Sequence, residues 1–375
     1  MPFCAQRCTY CDFYFVTTEK SHTGFVEAVC TEIRLRAQQY AHLEPVESLY
    51  FGGGTPSRLS SGDLGRIIET LNDHFDLSNV RETTIEVNPE DVNPAYLAAI
   101  RALGIDRLSI GIQSFFQDDL AFMNRIHDAG TARSVVEWAR AGGFDNFSID
   151  LIFGLPEQPP EYWSANLEIA CSLDVPHIST YGLTIEDGTP LFNRVERGLI
   201  SPMEEEDMSD QFQFTMGYLR DRGYEHYEIS SFAREGSRAI HNHRYWNHEN
   251  YLGFGPSAHS FWWSGLPAQR WANVRNLKRY EALLRQHVAP VDESEQLAID
   301  LLADEYVMLR LRTADGLDLD ELESRYGVDL LLERVDEFAE LESSGFIRPI
   351  RNEKIRLTDL GKTVCDTVTA RLLPG

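Results

Sequence analysis

At 375 residues the chain is long enough to bury one large core and a smaller appended domain. Its 59 acidic against 34 basic side chains leave a net charge of -25, which repels phosphate and argues against nucleic acid as a partner. No apolar run reaches membrane-spanning length, and the first residues lack the basic-then-apolar order of a signal peptide. The sequence therefore predicts a cytoplasmic protein, with peripheral contact at a membrane as the furthest allowance.

The first feature along the chain is the crowding of Cys4, Cys8 and Cys11, while Cys30, Cys171 and Cys365 stand alone in apolar, helix-like surroundings. Isolated cysteines of that kind read as small buried hydrophobes. Crowded thiols in a large cytosolic protein read as metal ligands rather than disulfides. Three thiolates at C-x3-C-x2-C can hold three corners of an iron–sulfur cube, one fewer than an electron-transfer cluster uses. The fourth iron then stays open to a ligand such as the amino and carboxylate groups of S-adenosylmethionine (SAM). A zinc site completed by a histidine such as His22 is the competing reading, although no second cysteine pair follows.

Beyond the cysteines, strand-like and helix-like stretches alternate. Strands are expected at Glu47–Phe51, Thr83–Val87, Arg107–Ile112, Phe147–Ile152 and His177–Leu183, with amphipathic helices at Phe25–Tyr40, Ser61–Phe75, Pro94–Leu103 and Thr131–Ala141. Such βα repetition implies parallel strands joined by right-handed crossovers, with sites assembled at the carboxyl ends of the strands. Glycines or polar residues stand at nearly every one of those ends.

Three domains are expected: residues 1–223 as the barrel core, 224–292 as a loop-rich aromatic segment, and 293–375 as a C-terminal domain. Four of the six tryptophans (Trp246, Trp262, Trp263, Trp271) fall in the middle stretch. The last domain reads as helices at Gln296–Arg312, Leu319–Tyr326 and Leu330–Ser344, a hairpin at Ile347–Leu357 and a final helix. That order is winged-helix-like. Its third helix carries Glu333, Asp336, Glu337, Glu340 and Glu342, which would repel DNA and favour packing or partner contact.

The motifs carry a resemblance. Pro2-Phe3-Cys4…Cys8-Thr9-Tyr10-Cys11-Asp12-Phe13, Phe51-Gly52-Gly53-Gly54-Thr55-Pro56-Ser57, Ile85-Glu86-Val87-Asn88-Pro89, Gly111-Ile112-Gln113-Ser114-Phe115, Ile149-Asp150-Leu151-Ile152-Phe153-Gly154-Leu155-Pro156 and His241-Asn242-His243-Arg244-Tyr245-Trp246 occur in the order found in the radical SAM superfamily. Within it the chain resembles the group of oxygen-independent coproporphyrinogen III dehydrogenases (HemN) and HemW-type haem chaperones. The resemblance implies an α/β fold, a partial (β/α)6 TIM-like barrel with a mostly helical C-terminal domain. It also implies a [4Fe-4S] cluster on Cys4, Cys8 and Cys11. SAM would be held by Tyr10, Gly53, Gly54, Thr55, Glu86, Gln113, Arg125, Asp150, Gly182 and His259. Family members usually carry a Tyr-x-His-Ile-Pro strand before the first cysteine, so a start upstream of Met1 or an incomplete sheet is expected.

Two features separate the members. Coproporphyrinogen dehydrogenases generally place a fourth cysteine two residues past the third, where this chain has Phe13. His241-Asn242-x-x-Tyr245-Trp246 resembles the haem-binding element of the chaperones, with His241 as axial ligand and Tyr245 and Trp246 walling the site. Aromatics at this density also suit a small local core, and His243 and His248 are alternative ligands. The basic stretch around Arg275 and Arg279 suits haem propionates or a solvated helix face. The implied function is a haem chaperone carrying cluster, SAM and haem and delivering haem to respiratory proteins, with an electron donor that the sequence does not name. The alternative is the radical decarboxylation of coproporphyrinogen III. Whether the chain is an enzyme at all stays open at this point.

Overall fold

A computed structural model describes residues 1–18 and 22–374. Contacts gather the chain into two units. One comprises Met1–Glu204, Gly253–His259 and Trp271–Ser294; the other comprises Glu205–Leu252, Ser260–Arg270 and Glu295–Gly375. The chain passes between them more than once, and the 224–292 stretch is shared by both.

The first unit is an α/β layer of parallel strands in sequential order: β1 (Ser48–Phe51), β2 (Glu82–Val87), β3 (Arg107–Gln113), β4 (Asn146–Phe153) and β5 (His177–Gly182). Helix α1 (His22–Tyr40) precedes β1, and α2 (Ser61–His74), α3 (Pro94–Ala102), α4 (Gln117–Phe122), α5 (Ala129–Ala141), α6 (Pro160–Ser172) and α7 (Pro190–Glu196) alternate with or follow the strands in the chain. Each connecting helix starts at a local signal. Ser60, Asn93 and Asp128 cap α2, α3 and α5 by accepting from the backbone N–H groups of Asp63, Tyr96 and Thr131, and Pro94 and Pro160 open α3 and α6.

The strands carry a period of two, although both faces are buried. On one face Ile85, Leu108, Ile110, Phe147 and Ile149 are almost wholly enclosed; the alternate positions are Thr84, Glu86, Ser109, Ser148, Asp150 and Ser179. The register pairs Glu86 with Ser109, Ser109 with Ser148, and Asp150 with Ser179, so these polar side chains share the inner face. They satisfy one another. Arg107 lies 3.6 Å from Glu82 and donates to Ser148 at 3.4 Å, Ser148 donates to Ser109 at 3.2 Å, and Ser109 donates to Asp150 at 3.3 Å. A second buried carboxyl anchors α1. Glu32 accepts from Tyr280 at 2.6 Å, Asn273 at 2.7 Å and the Gly255 N–H at 2.9 Å.

In the second unit Leu302, Tyr306, Val307, Leu311, Leu322, Ile355, Val368 and Leu372 form the core of a mostly helical domain. Helix Ile299–Leu311 begins later than the sequence suggests, because Val291–Leu297 is extended. The segment 330–344 is broken at Arg334 (φ -127°, ψ 34°) into Leu330–Glu333 and Val335–Ser343. Ile347 pairs with Leu357 and Arg351 with Lys354, which makes the expected hairpin.

Between residues 224 and 292 the structure corrects the loop-rich reading. The hairpin Glu225–Glu228/Ser231–Ala233, the helix Ile240–Trp246, strands His259–Trp262 and Ala268–Asn273, and the helix Leu277–Arg285 lie there. These elements are short and rich in His, Asn, Arg and Trp, so neither period stands out over a window long enough to read.

Candidate functional site

The carboxyl ends of β1–β5 open on a cavity of about 450 Å³ in the first unit, within the usual range of small-molecule sites. Cys4, Cys8 and Cys11 line it from the N-terminal loop. The strand ends contribute Gly53, Gly54, Thr55, Glu86, Gln113, Asp150 and Gly182, and Tyr10 and Arg125 complete the set. Of the residues expected around a cofactor in this unit, His259 alone stays outside this lining, exposed at the start of its strand. His22 packs its ring on Phe3, with centroids 4.2 Å apart.

The loop that carries the cysteines is tied down on several sides. The N–H of Thr9 donates to Met123, that of Leu191 donates to Thr9, and Asn124 donates to Arg7 at 2.6 Å. Phe3 bridges to Val16, and the Gly54 N–H donates to Met1. Gly53 is required here by geometry. Its φ is +114°, and a Cβ there would lie 2.7 Å from the Met1 nitrogen, so the glycine run lets the N-terminal backbone and Cys4 close on the end of β1.

One hydrogen-bonded path joins two of the cysteines. Thr55 donates to the Cys4 sulfur at 3.6 Å, and Asn88 Nδ2 donates to Thr55 at 3.2 Å. Arg125 Nη2 donates to Asn88 Oδ1 at 2.7 Å and to the Gly111 carbonyl at 2.8 Å, while its Nη1 reaches the Cys8 sulfur at 3.5 Å. Asn88 was not singled out as a site residue from the sequence, although it stands in the Ile85-Glu86-Val87-Asn88-Pro89 motif one residue beyond β2. Tyr50 was missed too. Its hydroxyl donates to Glu86 at 2.8 Å, and the Gly53 N–H donates to the same carboxyl at 3.0 Å.

The electrostatics favour a ligand of mixed charge. Burial pushes the Glu86 carboxyl up to about 7 and that of Asp150 to about 6, more than the Met1 ammonium near Glu86 or Arg107 and Arg125 near Asp150 offset. Among the described residues the buried Arg125 Nε has no hydrogen-bond partner, which leaves a guanidinium edge for a carboxylate. Burial likewise pushes the Cys4 and Cys11 thiols up, a penalty that coordination to a metal reverses. Among the described residues no three His, Cys, Asp or Glu side chains converge on a single ion position. A cube engages each cysteine at a separate iron, so three spaced thiols beside a cavity with acidic and cationic walls fit a cluster with an open corner.

In the second unit His241, Asn242, Tyr245 and Trp246 lie on the helix Ile240–Trp246. His241 and Tyr245 are one turn apart and face each other, with Nε2 to Oη at 2.9 Å. Burial pushes the His241 imidazole down to about 4, so it is neutral at pH 7 and suited to bind a metal. Tyr245 packs edge-on against Tyr251.

The neighbouring histidines are committed elsewhere. His243 Nε2 lies 3.3 Å from Asp315. His248 is buried between Phe261 and Tyr326, its two ring nitrogens at 3.0 Å from the Tyr326 hydroxyl and 3.2 Å from Glu305. The basic stretch in the first unit is likewise engaged: Arg275 donates to the Asp12 carbonyl at 2.5 Å and Arg279 to Asp292 at 2.8 Å.

Comparison with known proteins places these features. Residues 1–169 match the radical SAM superfamily model, and residues 300–364 match the HemN C-terminal domain. The chain is 33% identical to the haem chaperone HemW of Mycobacterium tuberculosis, over all of this chain and 93% of that protein. It is 30% identical to the haem chaperone HemW of Lactococcus lactis, over all of this chain and 96% of that one. Among solved structures, the radical SAM enzyme coproporphyrinogen III oxidase (HemN) of Escherichia coli superposes with a TM-score of 0.84 at 25% identity, covering all of this chain and 88% of that one.

Proposed function

Because the chain belongs to the HemW-type haem chaperone family of the radical SAM superfamily, we propose that it binds haem through His241 and carries a [4Fe-4S] cluster and SAM in the first unit. The observation that carries the reading is the cavity in which Cys4, Cys8 and Cys11 meet Glu86, Gln113, Arg125 and Asp150. Cys4, Cys8 and Cys11 would hold three corners of the cluster, and Arg125 would take the SAM carboxylate. Glu86 would accept from the ammonium, and Gln113 and Asp150 from the ribose and adenine edge. A reduced cluster with an open iron supplies the electron that cleaves a sulfonium. The chain's own residues supply binding and orientation: Tyr50 and the Gly53 N–H fix the Glu86 carboxyl, and Asn88 fixes the Arg125 guanidinium.

His241 is neutral at pH 7 and would ligate the haem iron, with Tyr245 and Trp246 as the aromatic surface beside it. Delivery of haem to respiratory proteins from the cytoplasm, at the membrane surface, completes the proposal. No helix among the described residues is long and apolar enough to cross a membrane.

The second reading, oxidative decarboxylation of coproporphyrinogen III, draws on the likeness to HemN. Phe13 weighs against it, since it stands where the dehydrogenases generally carry a fourth cysteine. Anaerobically reconstituted protein separates the two. Stoichiometric haem binding without porphyrinogen turnover supports the chaperone, and decarboxylation with SAM consumption overturns it.

A further inference from the structure

The C-terminal part of the second unit holds a groove of about 390 Å³ lined by none of the residues proposed to hold haem or the cluster. Its floor is the buried pair Leu319 and Leu330, and its wall is Leu332 and Val335, which are 76% and 58% exposed. Two large aliphatic side chains that open to water, three residues apart on either side of the break at Arg334, leave apolar area that an occupant would cover.

The rim is acidic. Asp320, Glu323, Asp329 and Glu353 line the same groove. Asp329 accepts from the Leu332 N–H as a helix cap. Among the described residues Asp320, Glu323 and Glu353 form no ion pair; the exposed Arg351, two residues before Glu353, forms none either, and the other cations nearby in sequence are engaged elsewhere. Lys354 pairs with Asp318 at 3.1 Å, Arg325 with Glu321 at 3.1 Å, and Arg334 donates to the carbonyls of Leu373 and Pro374. Glu333, Asp336 and Glu337 extend the negative field along the adjoining helical turns.

The charge decides among occupants. A second copy bound through the same face would set carboxylates against carboxylates. An anionic lipid surface or a nucleic acid would be repelled by the same groups. What remains complementary is a segment with apolar side chains on one face and cations beside them. We propose that this groove docks a basic amphipathic helix of a partner protein. Apolar anchors would sit between Leu332 and Val335, and lysines or arginines would lie on Asp320, Glu323 and Glu353. This surface is independent of the haem reading and stands or falls separately from it.

The test uses the full chain and a fluorescein-labelled Leu/Lys amphipathic peptide about five turns long, with a Leu/Glu peptide of the same pattern as control, read by anisotropy. Asp320→Lys/Glu323→Lys removes charge from the rim, Leu332→Asp spoils the wall, and Glu205→Lys/Glu206→Lys makes an equal charge change at the exposed start of the helix Glu205–Arg220. The expected result is binding of the Leu/Lys peptide alone. Each groove variant should weaken it at least tenfold, about what losing one good anchor costs, and the Glu205/Glu206 variant should leave it within about twofold. Equal weakening by both charge pairs would reduce the effect to net charge and overturn the proposal. So would an unaffected Leu332→Asp variant, equal binding of the acidic peptide, or no binding of the basic one.

Discussion

The hydroxyl of Tyr245 lies 2.9 Å from Nε2 of His241, on the nitrogen that a haem iron would take. With the hydroxyl as donor, Nδ1 would carry the ring proton and the Nε2 lone pair would be covered. Iron binding at Nε2 would then have to displace the hydroxyl, at a cost near that of one hydrogen bond. Tyr245→Phe should therefore tighten haem binding about fivefold, for roughly 1 kcal/mol released, whereas His241→Ala should weaken it and change the Soret band. Haem titration followed by absorbance reads both. An unchanged affinity in Tyr245→Phe removes the covering role; an unchanged spectrum in His241→Ala removes the ligand.

The pH profile tests the same histidine. Burial sets the His241 imidazole at about 4 in the folded chain, below the ordinary value of 6.5, so protons compete with iron only near that lower value. Haem affinity should hold from pH 8 to about 5 and fall below it. The matching stability is present above about pH 6.5 and is lost as pH falls towards 4, because the folded state binds the proton less readily than the unfolded one. A loss of haem centred near pH 6.5 would point to an exposed histidine instead.

Glu86 is shifted in the other direction, which moves the same kind of loss to a higher pH. Its carboxyl is pushed up to about 7, so the empty site is largely protonated below that pH, and a cationic ligand must first displace the proton. SAM affinity, measured anaerobically by equilibrium dialysis, should fall below pH 7 by at most about tenfold per unit. It should be weak and flat with pH in Glu86→Gln. A wild-type affinity that is level from pH 8 to 5 would remove Glu86 from the ligand's cationic end.

Glu32 tests the anchoring of α1. Glu32→Ala would take the carboxylate acceptor from the Tyr280 hydroxyl, the Gly255 N–H and one of the two Asn273 amide hydrogens, the other staying on the Gly255 carbonyl. The expected loss is about 3 kcal/mol, the scale for several polar groups orphaned in a core, read as a lower midpoint in chemical denaturation. Glu32→Gln keeps an acceptor and should lose less. Equal stability of Glu32→Ala and the wild type would contradict the anchoring role.

The barrel was legible because its signals are local and repeated. Strand limits at Arg107 and His177 and helix starts at Ser61 and Pro94 fall where the sequence reading set them, since caps, prolines and β-rich runs mark them. The cavity residues were legible only through motif order, because Glu86, Gln113 and Asp150 are brought together by register across three strands. Asn88 and Tyr50 escaped because their roles are contacts, to Arg125 and to Glu86, that no spacing encodes. The helix Ile240–Trp246 escaped for another reason. At seven residues, with no buried face, it has no periodic apolar stripe to read.

The most direct measurement is electron paramagnetic resonance of the anaerobically reconstituted, reduced protein, with and without SAM. The account predicts a [4Fe-4S] signal that needs all of Cys4, Cys8 and Cys11 and that shifts when SAM occupies the open iron beside Arg125. A cluster that survives replacement of any one of those cysteines, or a signal that SAM leaves unmoved, would contradict it.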